Sequence, residues 1–148
     1  MMSGEMSKIL RGSVAATAAA AVILQFAVSL AMAQALDFEN YRTRVEPVFL
    51  RKRPGHARCI ACHEAGNSAF RLQPLTPGNT TWSEEQSRRN FENVTHLVTP
   101  GNPDTSKLLI HPLAHEGGGD EFHSGGRQFA SKNDAEWMAI AAWIRQTK

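Results

Sequence analysis

The sequence predicts an all-α domain placed behind an N-terminal export signal. Three observations lead there. Apolar residues recur at helical spacing in the segments 37–50, 83–98 and 134–147, and no segment shows the period-two alternation of a half-buried strand. The intervening segments 64–81 and 112–132 carry the turn chemistry of long loops. The chain has 148 residues, 42% of them hydrophobic and 20% charged, which is the balance of a folded domain rather than a disordered tail.

The export signal comes first. Residues 14–33 read VAATAAAAVILQFAVSLAMA without a single charge, Lys8 and Arg11 precede them, and Ala31-Met32-Ala33 closes the stretch. A basic start, an apolar centre and an A-x-A site are the parts of a secretory signal peptide. Cleavage after Ala33 leaves residues 34–148 as one domain, periplasmic or secreted, with no stable insertion in the membrane. The alternative is an uncleaved anchor that tethers the domain, since about 20 apolar residues can span a bilayer. Gln25, Ser29 and the Ala-rich composition favour cleavage. The chain has a net charge of +2 and stays near neutral once Glu5, Lys8 and Arg11 are removed. Such a domain lacks the electrostatic footprint of nucleic-acid binding. The run Arg51-Lys52-Arg53 reads as a solvated helix end, with docking of an acidic partner as the alternative.

Along the mature chain, Phe38, Tyr41, Val45, Val48 and Phe49 give the first helix its apolar face, and Asp37 stands where it can cap the first turn. Pro47 predicts a kink or break there, and Pro54-Gly55 ends the segment. Cys59 to His63 open a short second helix. The 64–81 loop is long enough to wrap something, and Phe70 and Leu72 are its candidate covering residues. Ser83 and Gln86 have capping-box spacing ahead of a helix to Val98 with Phe91, Val94, Leu97 and Val98 on one face. Residues 104–110 predict one short helix carrying Leu108, Leu109 and Ile110. After the Gly-rich loop 112–132, Asn133 caps a last helix over 134–147. There Trp137, Ile140, Ala141 and Ile144 share the core face, Trp143 lies at its edge, and Met138 fills core space.

The motif with chemistry is Cys59-Ile60-Ala61-Cys62-His63. C-x-x-C-H is the attachment signal of c-type haem. Two thiols add to the two haem vinyl groups as thioethers, and the adjoining imidazole reaches the iron as a neutral nitrogen ligand. Cys59 and Cys62 are therefore the candidate attachment residues and His63 the proximal iron ligand of one haem c. Three other chemistries fit parts of the pattern. Structural zinc wants four ligands, and only His111 and His115 offer H-x-x-x-H spacing. A redox C-x-x-C expects a βαβ context that is absent. A Cys59–Cys62 disulfide would close a tiny loop and stabilise little. Export also supports haem, because c-type attachment in bacteria happens outside the cytoplasm.

With the pentapeptide go the segments LVTPGNPDTSKLLIHPL at 97–113, FHSGG at 122–126 and AEWMAIAAWIR at 135–145. Together they resemble the small single-haem cytochrome c domains of the planctomycete-type and related families, themselves similar to class I cytochrome c. The resemblance covers roughly residues 37–147. It implies a cytochrome c-like helical domain wrapped around one covalent haem, with first and last helices packed together. The departure from class I is the sixth ligand, because the loop 112–132 contains no Met. Met138, the sole Met beyond the signal, lies inside the last helix.

The distal ligand must then be sought among the histidines. His56 begins on the proximal side and His96 on a helix. His111, His115 and His123 lie in or beside the Gly-rich loop. His123, flanked by Ser124-Gly125-Gly126 where class I chains carry their Met, is the leading candidate, followed by His111 and then His115. Arg71 and Arg127 are candidates to pair with the haem propionates. The expected function is that of a bis-His cytochrome, a carrier of single electrons between redox partner proteins rather than an enzyme. A haem peroxidase or gas-binding sensor with an open distal site is the alternative, and a structural zinc or disulfide module a third.

Overall fold

Asp37 caps the first described helix as the sequence predicts. Its side chain accepts a hydrogen bond from the Asn40 backbone N–H at 2.8 Å, satisfying a donor at the helix start that has no partner within the helix. Helix α1 (Phe38–Asn40) runs into a π-helical stretch, Tyr41–Val45, and then into α2 (Glu46–Leu50). Pro47 therefore does not end the segment. In a straight α-helix its ring would collide with the carbonyl four residues back. Here the preceding turn is widened instead, and the Glu46 N–H donates to the Tyr41 carbonyl, five residues back.

The computed structural model describes residues 35–64 and 68–146; the segment read as a signal peptide, 1–33, lies outside them. Four more α-helices follow: α3 (Cys59–His63), α4 (Glu84–Thr95), α5 (Lys107–Ile110) and α6 (Ala135–Arg145), with 3-10 turns at Pro103–Thr105 and His115–Gly117. The described residues are helical and contain no strand, only an isolated bridge between Leu113 and Phe129. No described helix is long and apolar enough to cross a membrane. The residues from Leu36 onward gather as one compact unit.

The capping box of α4 forms in full, with Gln86 N–H donating to Ser83 Oγ at 3.3 Å and Ser83 N–H to Gln86 Oε1 at 3.0 Å. The helix ends at Thr95, short of the expected Val98. The predicted 104–110 helix breaks in two at Ser106. That buried hydroxyl donates to the Asn102 carbonyl at 2.8 Å and accepts from the Thr99 N–H at 3.0 Å, and such local bonding competes with helical pairing. The last helix is capped by Asp134 rather than Asn133. Its carboxylate accepts from the N–H groups of Glu136 and Trp137 at 2.9 and 3.4 Å.

The first and last helices pack together. Tyr41 and Trp143 bring their ring centres within 5.6 Å, and the Trp143 indole N–H donates to the Asp37 carbonyl at 2.9 Å. Trp143 is fully buried rather than at the edge, and Met138 is exposed rather than part of the core. Around this pair lie Val45, Phe49, Val94, Leu109, Ile140 and Ile144, each at most 2% exposed and each contributing roughly 1.5–3 kcal/mol of burial. The loop after α3 is tied to α4 through Gln73, whose N–H donates to Asn90 Oδ1 at 2.7 Å and whose carbonyl accepts the Trp82 indole N–H at 2.6 Å. This leaves α3 standing over a gap between the 68–70 stretch, α5 and the 112–129 loop.

Candidate functional site

Helix α3 is little more than one turn, yet its spacing does two jobs. Positions i, i+3 and i+4 share a helix face, so Cys59, Cys62 and His63 all turn to the same cavity. Ile60, 2% exposed, roots the turn in the core. The cavity measures about 490 Å³, within the range of small-molecule and cofactor sites. Val48, Phe49, Phe70, Leu97, Leu108, Phe129 and Ile140 form an apolar part of its wall, and His111 and His123 line it too.

Three imidazoles thus share one space, and each is held by the same ring nitrogen. His63 Nδ1 lies 2.8 Å from the Phe70 carbonyl and 3.0 Å from Ser68 Oγ. His123 Nδ1 lies 2.6 Å from the Gly126 carbonyl, and His111 Nδ1 lies 2.9 Å from the Asp120 carboxylate. An acceptor at Nδ1 places the proton there and leaves Nε2 as the free lone pair, which is how metal-binding histidines are oriented. Burial lowers the His63 pKa, helped by the neighbouring His123 and His111 and opposed by the Phe70 carbonyl. The ring is therefore neutral at pH 7, the form that donates to a metal.

The rings of His63 and His123 are nearly parallel, 15° apart, with centres separated by 6.3 Å. That is a stacked arrangement toward the wide end of the range for ring pairs. A metal bond of about 2 Å on each side, plus about 1 Å from each bonding nitrogen to its ring centre, requires about 6 Å. The ring separation alone therefore matches the length that one ion between two imidazoles would need. His111 meets His123 edge-on at 5.0 Å.

Both cysteines are free thiols. Burial raises the Cys59 pKa, with nearby Arg53 opposing it. Redox C-x-x-C pairs have the opposite character, an activated low-pKa thiol. Among the described residues no three or more His, Cys, Asp or Glu side chains are grouped to hold a bare metal ion. A haem asks less of the chain, because the porphyrin supplies four nitrogens and the protein only the axial ligands.

The remaining sequence candidates lie elsewhere. Arg127 pairs with Glu116 at 2.8 Å, and neither it nor Arg71, whose carbonyl is held by Asn93 on α4, lines the cavity. The cations that do line it are Arg58 and Lys107, both exposed at the mouth. His115 and His96 are exposed outside it, and Leu72 is buried in the core, leaving Phe70 as the covering residue. Sequence reasoning missed Ser68, the Phe70 carbonyl and Gln128, whose contacts depend on how the loops fold and carry no motif. It also took Arg53 for a solvated residue, whereas its side chain is only 14% exposed.

Comparison of the chain with family models, curated proteins and solved structures gives no match.

Proposed function

We propose that this protein is an exported c-type cytochrome that carries single electrons on one covalently attached haem. The observation that carries the reading is the parallel placement of His63 and His123 across the cavity that Cys59 and Cys62 line. Cys59 and Cys62 would hold the haem as thioethers, His63 would bind the iron from one side and His123 from the other. The haem supplies the one-electron chemistry when bound. The chain's part is to fix both imidazoles through Nδ1, to keep His63 neutral by burial, and to exclude water with Phe49, Phe70 and Phe129. Arg58 and Lys107 stand where the haem carboxylates would reach the mouth.

Two imidazole ligands without a Met point to a lower reduction potential than Met/His ligation gives. They also favour a carrier over a peroxidase or gas sensor, because His63 and His123 would both bind the iron and leave no place for an external ligand. The cytochrome c-like fold, the cleaved signal and the periplasmic or secreted location belong to the same reading. Redox proteins outside the cytoplasm are its partners.

The test is the absorption spectrum of the mature protein, secreted from cells with a working haem-attachment system. A covalent, low-spin c-type spectrum is expected. A colourless product overturns the reading, and a high-spin ferric spectrum replaces the carrier with the open-iron alternative.

A further inference from the structure

Arg53 belongs to the run Arg51-Lys52-Arg53, yet it alone of the three is withdrawn from solvent. Its guanidinium lies over the Phe129 ring at 4.5 Å from the centroid. One arm donates to the Gln128 carbonyl and the other to the Glu136 carboxylate, with Asp134 3.6 Å away. The fork therefore joins the segment that leads into α3 to two others: the loop behind His123 and the first turn of α6.

The connection continues toward the cavity. Gln128 is 8% exposed and lines the cavity wall. Its side-chain N–H donates to the Gly125 carbonyl at 3.0 Å, and its backbone N–H to the Pro112 carbonyl at 2.8 Å. The adjoining Gly126 carbonyl is the acceptor that fixes His123 Nδ1, and the Gly126 N–H donates back to the His123 carbonyl at 2.9 Å. His123 thus sits on a Gly-containing turn with few apolar anchors of its own, since the preceding Phe122 is 75% exposed.

From this chain of contacts we infer that Arg53 is the positioning residue of the distal ligand. It holds Gln128, Gln128 holds the 125–126 turn, and that turn presents the His123 imidazole to the ring of His63. The inference rests on the bis-His reading above. An Arg is required because its planar fork serves a carbonyl and a carboxylate at once while its face covers an aromatic ring. Loss of the fork leaves His123 in place chemically but lets its turn open, so the distal position is vacated more often.

Cyanide binding to the ferric holoprotein reads that opening, because an external ligand binds only the fraction of molecules whose distal position is free. Arg53→Gln and, independently, Gln128→Met should each raise the apparent cyanide affinity and the high-spin fraction, roughly tenfold for Arg53→Gln. Val94→Ala, a core truncation outside the site, serves as the control that lowers stability without touching this chain of contacts. Unchanged cyanide affinity in Gln128→Met, or an equal rise in Val94→Ala, overturns the positioning role even if Arg53→Gln folds poorly. A wild-type low-spin spectrum that survives His123→Ala also overturns it, since Arg53 would then hold no ligand. Those failures leave the haem reading standing, whereas a colourless wild-type protein removes the haem itself.

Discussion

The imidazoles of His63 and His123 face each other at 6.3 Å between ring centres, although 60 positions of sequence numbering, from 63 to 123, separate them. Each ring is turned by a different local acceptor, the Phe70 carbonyl for one and the Gly126 carbonyl for the other. Agreement between two independently oriented rings is the feature from which the following expectations come.

His123→Ala removes one side of that pair and leaves both thiols in place. The haem should remain attached while the ferric iron turns high-spin, and added imidazole should restore the low-spin bands. His111→Ala should leave the wild-type spectrum nearly unchanged. Absorption spectra of the purified holoproteins decide it, and a low-spin His123→Ala protein moves the ligand assignment to His111.

Replacing Cys59 and Cys62 together by Ala should give little holoprotein and a poorly folded chain. The cavity they line is bounded by Phe49, Phe70, Leu108 and Phe129, and a small domain has little other apolar surface to bury in compensation. Circular dichroism and haem content of the exported product measure the effect. A stable, helical double variant would mean that the cofactor does not hold the fold together.

Gly119→Ala tests the backbone around His111. A Cβ there would fall 2.0 Å from the Leu113 carbonyl oxygen and 2.9 Å from that of Ile110. The neighbouring Asp120 pairs with His111, so the forced shift disturbs that pair. The expected loss is about 3 kcal/mol, the upper end of the usual overpacking cost. Gly118→Ala meets only the flexible end of Lys132, at 3.8 Å, but lies at φ +93°, and should lose about 1–2 kcal/mol from backbone strain alone. Denaturant unfolding of the two holoproteins compares them.

Glu46 provides a pH test away from the cavity that His63 and His123 line. It is 5% exposed, and Ser87 Oγ donates to its Oε1 at 2.8 Å. Burial raises its pKa, with Ser87 and Arg42 opposing the shift. A raised folded-state pKa means that the folded protein holds the proton longer than the unfolded chain does. Its stabilising share is therefore full below the unfolded value of about 4.3 and is lost as pH rises through the raised folded value. Glu46→Gln keeps the acceptor for Ser87 and removes the titration. The variant should be more stable than wild type at pH 7, and the difference should shrink toward pH 4. Unfolding free energies at the two pH values check the sign.

Local features were legible in the residues and most of them stand in the fold. The Asp37 cap, the Ser83–Gln86 box and the apolar faces of the first and last helices need only neighbours within one or two turns. The misplacements have local causes of their own. Ser106 spends its hydroxyl on nearby backbone and splits a helix, Asp134 takes the capping role from Asn133, and a widened turn absorbs Pro47 without a break. Met138 and Trp143 exchanged their expected environments because their positions on α6 relative to α1 and α2 depend on how the helices cross, which periodicity alone leaves open.

For the site, spacing was enough to place Cys59, Cys62 and His63 on one face of a single turn, because the i, i+3, i+4 relation is a property of any helix. The placement of His111 and His123, but not His115, on the cavity wall, and the separation of Arg53 from Arg51 and Lys52, came only with the folded chain. So did the appearance of Arg58 and Lys107 at the cavity mouth in place of Arg71 and Arg127. Each of those outcomes depends on which distant segments meet. A loop carbonyl, a buried guanidinium fork or a pair of facing rings exists only after the chain has closed around them.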